Sequence, residues 1–251
     1  MSDEPEVLSQ NNQLILVSGE SGTGKSVSLR GIPLDEQPEW FYLNCEAGKK
    51  LPFRNKFTSH TITDPYQVHE AFDYGTGNPN VKGMIVDTAT YLLDMFETLF
   101  IINSSNSQRG WQDFQQFWKL LMQQKVPLFE KPVIILAHTK TEYDEVNMVN
   151  RSVVPVKGAL KNQGLESYFS TVVSTRKMEI KNLKDYANPL LNITDDEKDL
   201  GFKHVFQTRP TKQTIGDRVR TPIDMFDRAG TFMDNDVYKL LQHMNEFYNG
   251  N

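Results

Sequence analysis

A single cysteine, Cys45, stands in 251 residues. No internal disulfide can form and no paired-cysteine zinc site is available, which fits a reducing compartment. Long apolar runs are missing too: no stretch approaches the roughly 18 consecutive apolar residues a membrane helix needs, so no membrane association is expected. Positive charge is not in excess. Lysine and arginine total 27 against 32 aspartates and glutamates, a formal net charge of −5. That balance argues against a broadly basic face that coats duplex DNA, while leaving a local basic groove open. The histidines, at positions 60, 69, 138, 204 and 243, keep none of the spacings, such as HxxxH, with which side chains alone hold a metal. The opening MSDEPEVLSQNNQ has neither the basic nor the apolar segment of a secretory signal, so the cytoplasm is the expected location. No internal repeat or low-complexity tract interrupts the chain.

What is present begins at Leu14. LILV, residues 14–17, is a continuous apolar run, as expected of a strand buried on both faces of a parallel sheet. Gly19, Glu20, Ser21, Gly22, Thr23, Gly24, Lys25 and Ser26 then match G-x-x-x-x-G-K-[ST], with Val27 following. In such a P-loop the glycines let backbone N–H groups point at phosphate oxygens, Lys25 neutralises the β and γ phosphates, and the Ser26 hydroxyl ligates Mg²⁺. An accidental match in a chain this long is expected about once in a hundred, and the preceding strand makes accident rarer.

In GMIVDTATYLL the apolar run Met84, Ile85 and Val86 is followed by Asp87. A carboxylate at the end of a strand neighbouring the P-loop strand holds the metal through water, although Asp87 could instead cap the helix expected near Thr88. Between these strands lies WFYLNCEAGKKLPF. Trp40 to Cys45 reads as a strand, and Glu46 stands just past it. There it either orients and deprotonates a water for hydrolysis or is a solvated loop charge. A third run, Val133 to Ala137, ends in His138, which either senses a γ-phosphate or is simply hydrogen-bonded.

In that order, P-loop, strand before Glu46, strand ending in Asp87 and strand ending in His138, the chain resembles the RecA-type ATPase core. The resemblance implies an α/β fold with a mostly parallel central sheet flanked by helices, ATP and Mg²⁺ as cofactors, Glu46 as catalytic base and His138 as sensor, where RecA itself has glutamine. RecA-like recombinases hold single-stranded DNA with two mobile loops. INSSNSQRGW (Ile102 to Trp111) and TKTEYDEVNMVNRSVVPVKG (Thr139 to Gly158) occupy those positions. The second carries Lys140, Arg151 and Lys157 against Glu142, Asp144 and Glu145, a near balance. LAHTK and KGALKNQGLESYFSTVVSTRK are similar to stretches of small phage-encoded RecA-core ATPases that assist single-strand annealing or recombination. The likeness spans about residues 12 to 225. It implies single-stranded DNA as partner, self-association into a ring or filament with ATP between subunits, and a single-strand-binding protein or recombinase as a further partner. It also implies a host cytoplasm if the source is viral. The stretch from Arg209 to Pro222 concentrates basic residues. By the same resemblance Lys212 or Arg218 would reach the neighbouring subunit's γ-phosphate; the alternative is a solvated basic turn.

Elsewhere, QRGWQDFQQFWKLLMQQ reads as a helix whose Trp111, Phe114, Phe117, Trp118, Leu121 and Met122 form a core face, with base stacking as the alternative. FSTVVSTRKMEIKNL gives a strand and a possible hairpin, KDYANPLLNITDDEKDLG a surface excursion, and FKHVFQT a returning strand. DNDVYKLLQHMNEFYNG is an amphipathic helix capped by Asp234 or Asn235, with Val237, Leu240, Leu241, Met244 and Phe247 on one stripe. The expected organisation is a disordered segment 1–12, a core 13–230 and a C-terminal helix 231–251 packed on it. Two other functions stay open. One is a hexameric helicase or translocase, against which the lack of room for a further N-terminal domain counts. The other is a nucleotide-switched interaction protein that works without DNA.

Overall fold

Three strands, LILVSG, GMIVD and VIILAH, each built on an unbroken apolar run, make the centre of the sheet, since a strand between two layers must be apolar on both faces. The computed structural model describes residues 11–102 and 104–250; most of the expected disordered segment therefore lies outside the described residues. The strands are β1 (Leu14–Gly19), β2 (Trp40–Asn44), β3 (Thr58–Thr61), β4 (Gly83–Asp87), β5 (Val133–His138), β6 (Lys140–Asp144), β7 (Val149–Val153), β8 (Thr171–Glu179), β9 (Phe202–Gln207) and β10 (Phe232–Asp234). Eight of them form one sheet in the order β10-β9-β8-β1-β5-β4-β2-β3. Pairing is parallel from β8 to β3, and β9 and β10 extend it antiparallel. The ends of β1, β2, β4 and β5 thus meet at one edge of the sheet, where a ligand site is expected in an open parallel sheet.

Alternation along the strands divides the core in two. Leu14, Leu16, Met84, Val86, Val133 and Ile135 face one layer, built from α1 (Tyr66–Thr76), α2 (Ala89–Phe96), α3 (Ser107–Leu120) and α4 (Val126–Phe129). Ile15, Val17, Ile85, Ile134 and Leu136 face the other. Three short helices, α5 (Leu160–Gln163), α6 (Ile180–Leu183) and α7 (Asp195–Leu200), lie in the connections, and α8 (Val237–Asn249) covers the second face with Val237, Leu240, Leu241 and Met244. The result is an α/β fold with a large, mostly parallel central sheet, flanking helices and a C-terminal helix. Among the described residues no helix is long and apolar enough to cross a membrane.

Several expectations change. The stretch from Thr139 to Gly158 is not a plain loop: β6 and β7 pair as an antiparallel hairpin, Lys140 opposite Val153 and Asp144 opposite Val149. The Asp144 carboxylate accepts from Val146 N and Asn147 N to close its turn. Of the stretch from Ile102 to Trp111, Ser107 onwards is already helical, with Asn106 as the N-cap. Asn103 lies outside the described residues. In α3 the aromatics are core, Phe114, Phe117 and Trp118 being buried. The possible hairpin after Phe169 is β8 with β9, closed by the long excursion. That excursion is not wholly superficial, because Leu191 and Ile193 pack on Leu183, Val205 and Phe232. The segment 231–251 is more than a helix, since its first residues form β10. The cap of α8 is Asp236, which accepts from Tyr238 N and Lys239 N; Asp234 instead pairs with Lys203 and Lys239. Phe247 remains 38% exposed, off the buried stripe.

Candidate functional site

β1 sits near the middle of the sheet and hands its chain at Gly19 to the loop that ends at Ser26. Gly24 has φ +105°, a left-handed conformation that suits glycine, and a Cβ there would come within 2.6 Å of Asn235 Nδ2. A 3₁₀ turn, Ser26–Gly31, follows and stops as Ile32 turns extended before Pro33. Lys25 is buried, and its Nζ donates to Gly19 O at 2.9 Å and Glu20 O at 2.8 Å. Burial lowers its pKa to about 8, against the opposing pull of Asp87 and Glu46.

The metal carboxylate was expected on the strand next to β1. β5 lies between them, so Asp87 comes from one strand further out. It still reaches the loop: Ser26 Oγ donates to Asp87 Oδ2 at 3.0 Å, and the Tyr42 hydroxyl donates to the same oxygen at 2.7 Å. Asp87 is 2% exposed, and its Oδ1 is buried with no hydrogen-bond partner. Burial raises the Asp87 pKa, with the hydrogen bonds from Tyr42 and Ser26 opposing it. Burial and the Asp87 charge push the Tyr42 phenol up. The helix-capping role falls to Thr88, whose Oγ1 accepts from Tyr91 N at 3.5 Å, which frees Asp87 from that alternative. The peptide between them is cis.

Glu46 lies just past β2, where Cys45 N still donates to Asp87 O and Glu46 N donates to Asn44 Oδ1. Its carboxylate is 10% exposed and doubly held, by Lys49 Nζ at 2.8 Å and His138 Nε2 at 3.1 Å. A merely solvated loop charge would not be enclosed in this way. Burial alone would raise its pKa; the hydrogen bonds from Lys49 and His138 outweigh burial and lower it. His138 ends β5, and its N–H donates to Thr90 Oγ1. Burial raises the neighbouring Cys45 thiol well above its ordinary range, so the lone cysteine is a protonated residue of the hydrophobic core.

Lys25, Ser26, Asp87, Glu46 and His138 line one cavity of about 240 Å³ together with Gly22, Gly24 and Val27 of the loop. Tyr42, Lys49, Lys50, Leu51, Pro52 and His204, which the sequence did not single out, also line it. Lys49 had a local signal, an opposite charge three residues after Glu46. Tyr42 and His204 had none, because their contacts depend on the order of strands. His204 Nδ1 donates to Thr23 O at 2.8 Å. Lys212 and Arg218 do not line the cavity. Arg218 is held by the buried Glu166 carboxylate at 2.9 Å, whereas Lys212 is exposed.

Among the described residues no three His, Cys, Asp or Glu side chains gather as a metal cage. A hard cation at the loop would therefore share its shell with water and phosphate oxygens, the usual habit of Mg²⁺. The unpartnered Asp87 Oδ1 beside the Ser26 hydroxyl fits that role. No family model matches the chain, and no curated protein matches it in sequence.

Proposed function

We propose that this chain is a RecA-type P-loop ATPase that works on single-stranded DNA in phage-type recombination, annealing or repair. One observation carries the hydrolytic part: a phosphate-binding motif, a buried carboxylate with a free oxygen and a second, ionised carboxylate line the same cavity. Lys25 and the loop amides would hold the phosphates, and Ser26 and Asp87 would hold Mg²⁺, which when bound neutralises phosphate charge. Glu46, ionised through neutral pH, would take the proton of a water through a lone pair that Lys49 and His138 leave free. Glu20 links the loop to the hairpin, its Oε1 accepting from Thr141 Oγ1 at 3.0 Å, so nucleotide state has a short route to β6.

The DNA partner is supported by the resemblance alone. A second reading, a nucleotide-switched protein-docking module, is favoured by the hairpin itself. Its cations are paired internally, Lys140 with Glu142 and Arg151 with Asp144, and its tip exposes two apolar side chains, Val146 at 90% and Met148 at 76%. Assembly into a ring or filament would give Lys212, rather than the engaged Arg218, the role of the trans-acting cation. The test is steady-state ATP hydrolysis with and without single-stranded DNA, with Lys25→Ala as control. Strong stimulation that vanishes in the variant supports the first reading. Hydrolysis indifferent to DNA, with no binding at low salt, favours the second, and absence of any nucleotide binding ends both.

A further inference from the structure

We propose that Tyr42 is a positioning residue for the divalent cation: its hydroxyl holds Asp87 by Oδ2 so that Oδ1 is offered to the cation's shell. The inference rests on the ATPase reading above and assigns a role to a residue outside every motif. Two hydroxyls, Tyr42 at 2.7 Å and Ser26 at 3.0 Å, donate to Oδ2, and none reaches Oδ1. A Ser26 hydroxyl that turns to a cation leaves Tyr42 as the remaining one of these two donors. The phenol is an O–H donor at neutral pH. Its ring is fixed by burial on β2, one strand from Asp87, and by stacking on Phe57 with centroids 6.1 Å apart. A carboxylate so pinned cannot rotate to present the other oxygen, which is how outer-shell partners tune metal affinity.

The experiment measures binding of a fluorescent ADP analogue to the full chain in EDTA and across a Mg²⁺ titration, with the Mn²⁺ paramagnetic resonance spectrum as a second readout. Tyr42→Phe keeps the ring and removes the hydroxyl. Its Mg²⁺ midpoint should rise about 10- to 100-fold, with affinity in EDTA unchanged and the Mn²⁺ spectrum altered. Phe57→Leu, which loosens the same ring but keeps the hydroxyl, should shift the midpoint less than Tyr42→Phe does, with affinity in EDTA unchanged. An unchanged midpoint in Tyr42→Phe overturns the inference. So does an equal shift in Phe57→Leu, or a parallel loss of affinity in EDTA, because either outcome makes Tyr42 a packing residue only. A wild-type chain whose nucleotide binding ignores Mg²⁺ overturns the ATPase reading itself, a result distinct from normal wild-type dependence with an unaffected variant.

Discussion

Both oxygens of Glu46 are occupied, one by Lys49 and the other by His138. A group held this way stays ionised, and each oxygen keeps a second lone pair with which it can accept a proton from water. Glu46→Gln preserves the shape and removes the basicity, so nucleotide affinity should persist while turnover falls about 10²- to 10⁴-fold. Calorimetric titration alongside steady-state rates separates the two effects, and normal turnover would remove Glu46 from the chemistry. His69 makes a different statement about single residues. It is buried, stacked on Phe117 with centroids 4.5 Å apart, and its Nε2 has no partner. Burial, with help from Lys125, lowers its pKa from 6.5 to about 4, while a backbone hydrogen bond at Phe117 and the Asp73 charge oppose the shift. The unfolded chain takes up this proton near pH 6.5 and the folded chain only near pH 4. Stability from this group is therefore complete above pH 6.5 and drains away as pH falls toward 4, by about 3 kcal/mol in full. Urea unfolding at several pH values should show that loss in the wild type, and His69→Gln should be flatter over the same window.

At the scale of elements, the loop of residues 19–26 is braced from one side by β8, β9 and the residue after β10. Thr175 of β8 meets the Thr23 hydroxyl, His204 of β9 donates to Thr23 O, and Asn235, just after β10, donates to Gly24 O at 2.8 Å. Asn235→Ala removes one neutral hydrogen bond, worth about 1 kcal/mol. It should weaken nucleotide binding about 5-fold at that value with little change in the chemical step; unchanged affinity would show that the loop holds its shape unaided. These contacts also explain what the sequence could not convey. β1, β4 and β5 are legible because their side chains are buried on both faces and their apolar runs are unbroken. β6 and β7 are not, because the hairpin stands away from the core and its alternating pattern is hidden among charges. Gly19 to Ser26, Glu46, Asp87 and His138 are legible because each is defined by its own strand end. Tyr42, His204 and Asn235 reach their partners across 45, 181 and 211 residues, separations that only the strand order closes. The cap of α8 differs from the expected one for a related reason, since the acidic run DND offers Asp234, Asn235 and Asp236, and ion pairing and the loop of residues 19–26 take the first two.

At the scale of the molecule, the sheet has two apolar faces of different provenance. One is covered by helices from the middle of the chain, the other largely by α8 and the buried Met225 and Phe226. The C-terminal segment is therefore a layer of the core and not an appendage. It is also tied to the loop, because Asp236 lies so close to Gly31 that a Cβ there would collide with its carboxylate, and Asn235 grips Gly24. Stability and nucleotide binding should then fail together. Leu240→Ala, at a fully buried position on α8, should cost about 2–5 kcal/mol, with α8 and the loop of residues 19–26 melting in one transition by hydrogen exchange. A chain ending at Thr231 loses β10 and α8 and uncovers Ile15, Val17, Ile134 and Leu136. It should show neither cooperative unfolding nor nucleotide binding. Binding retained by that truncated chain would mean that β1, β2, β4 and β5 form the site without the second layer, and that the brace from Asn235 is incidental to it.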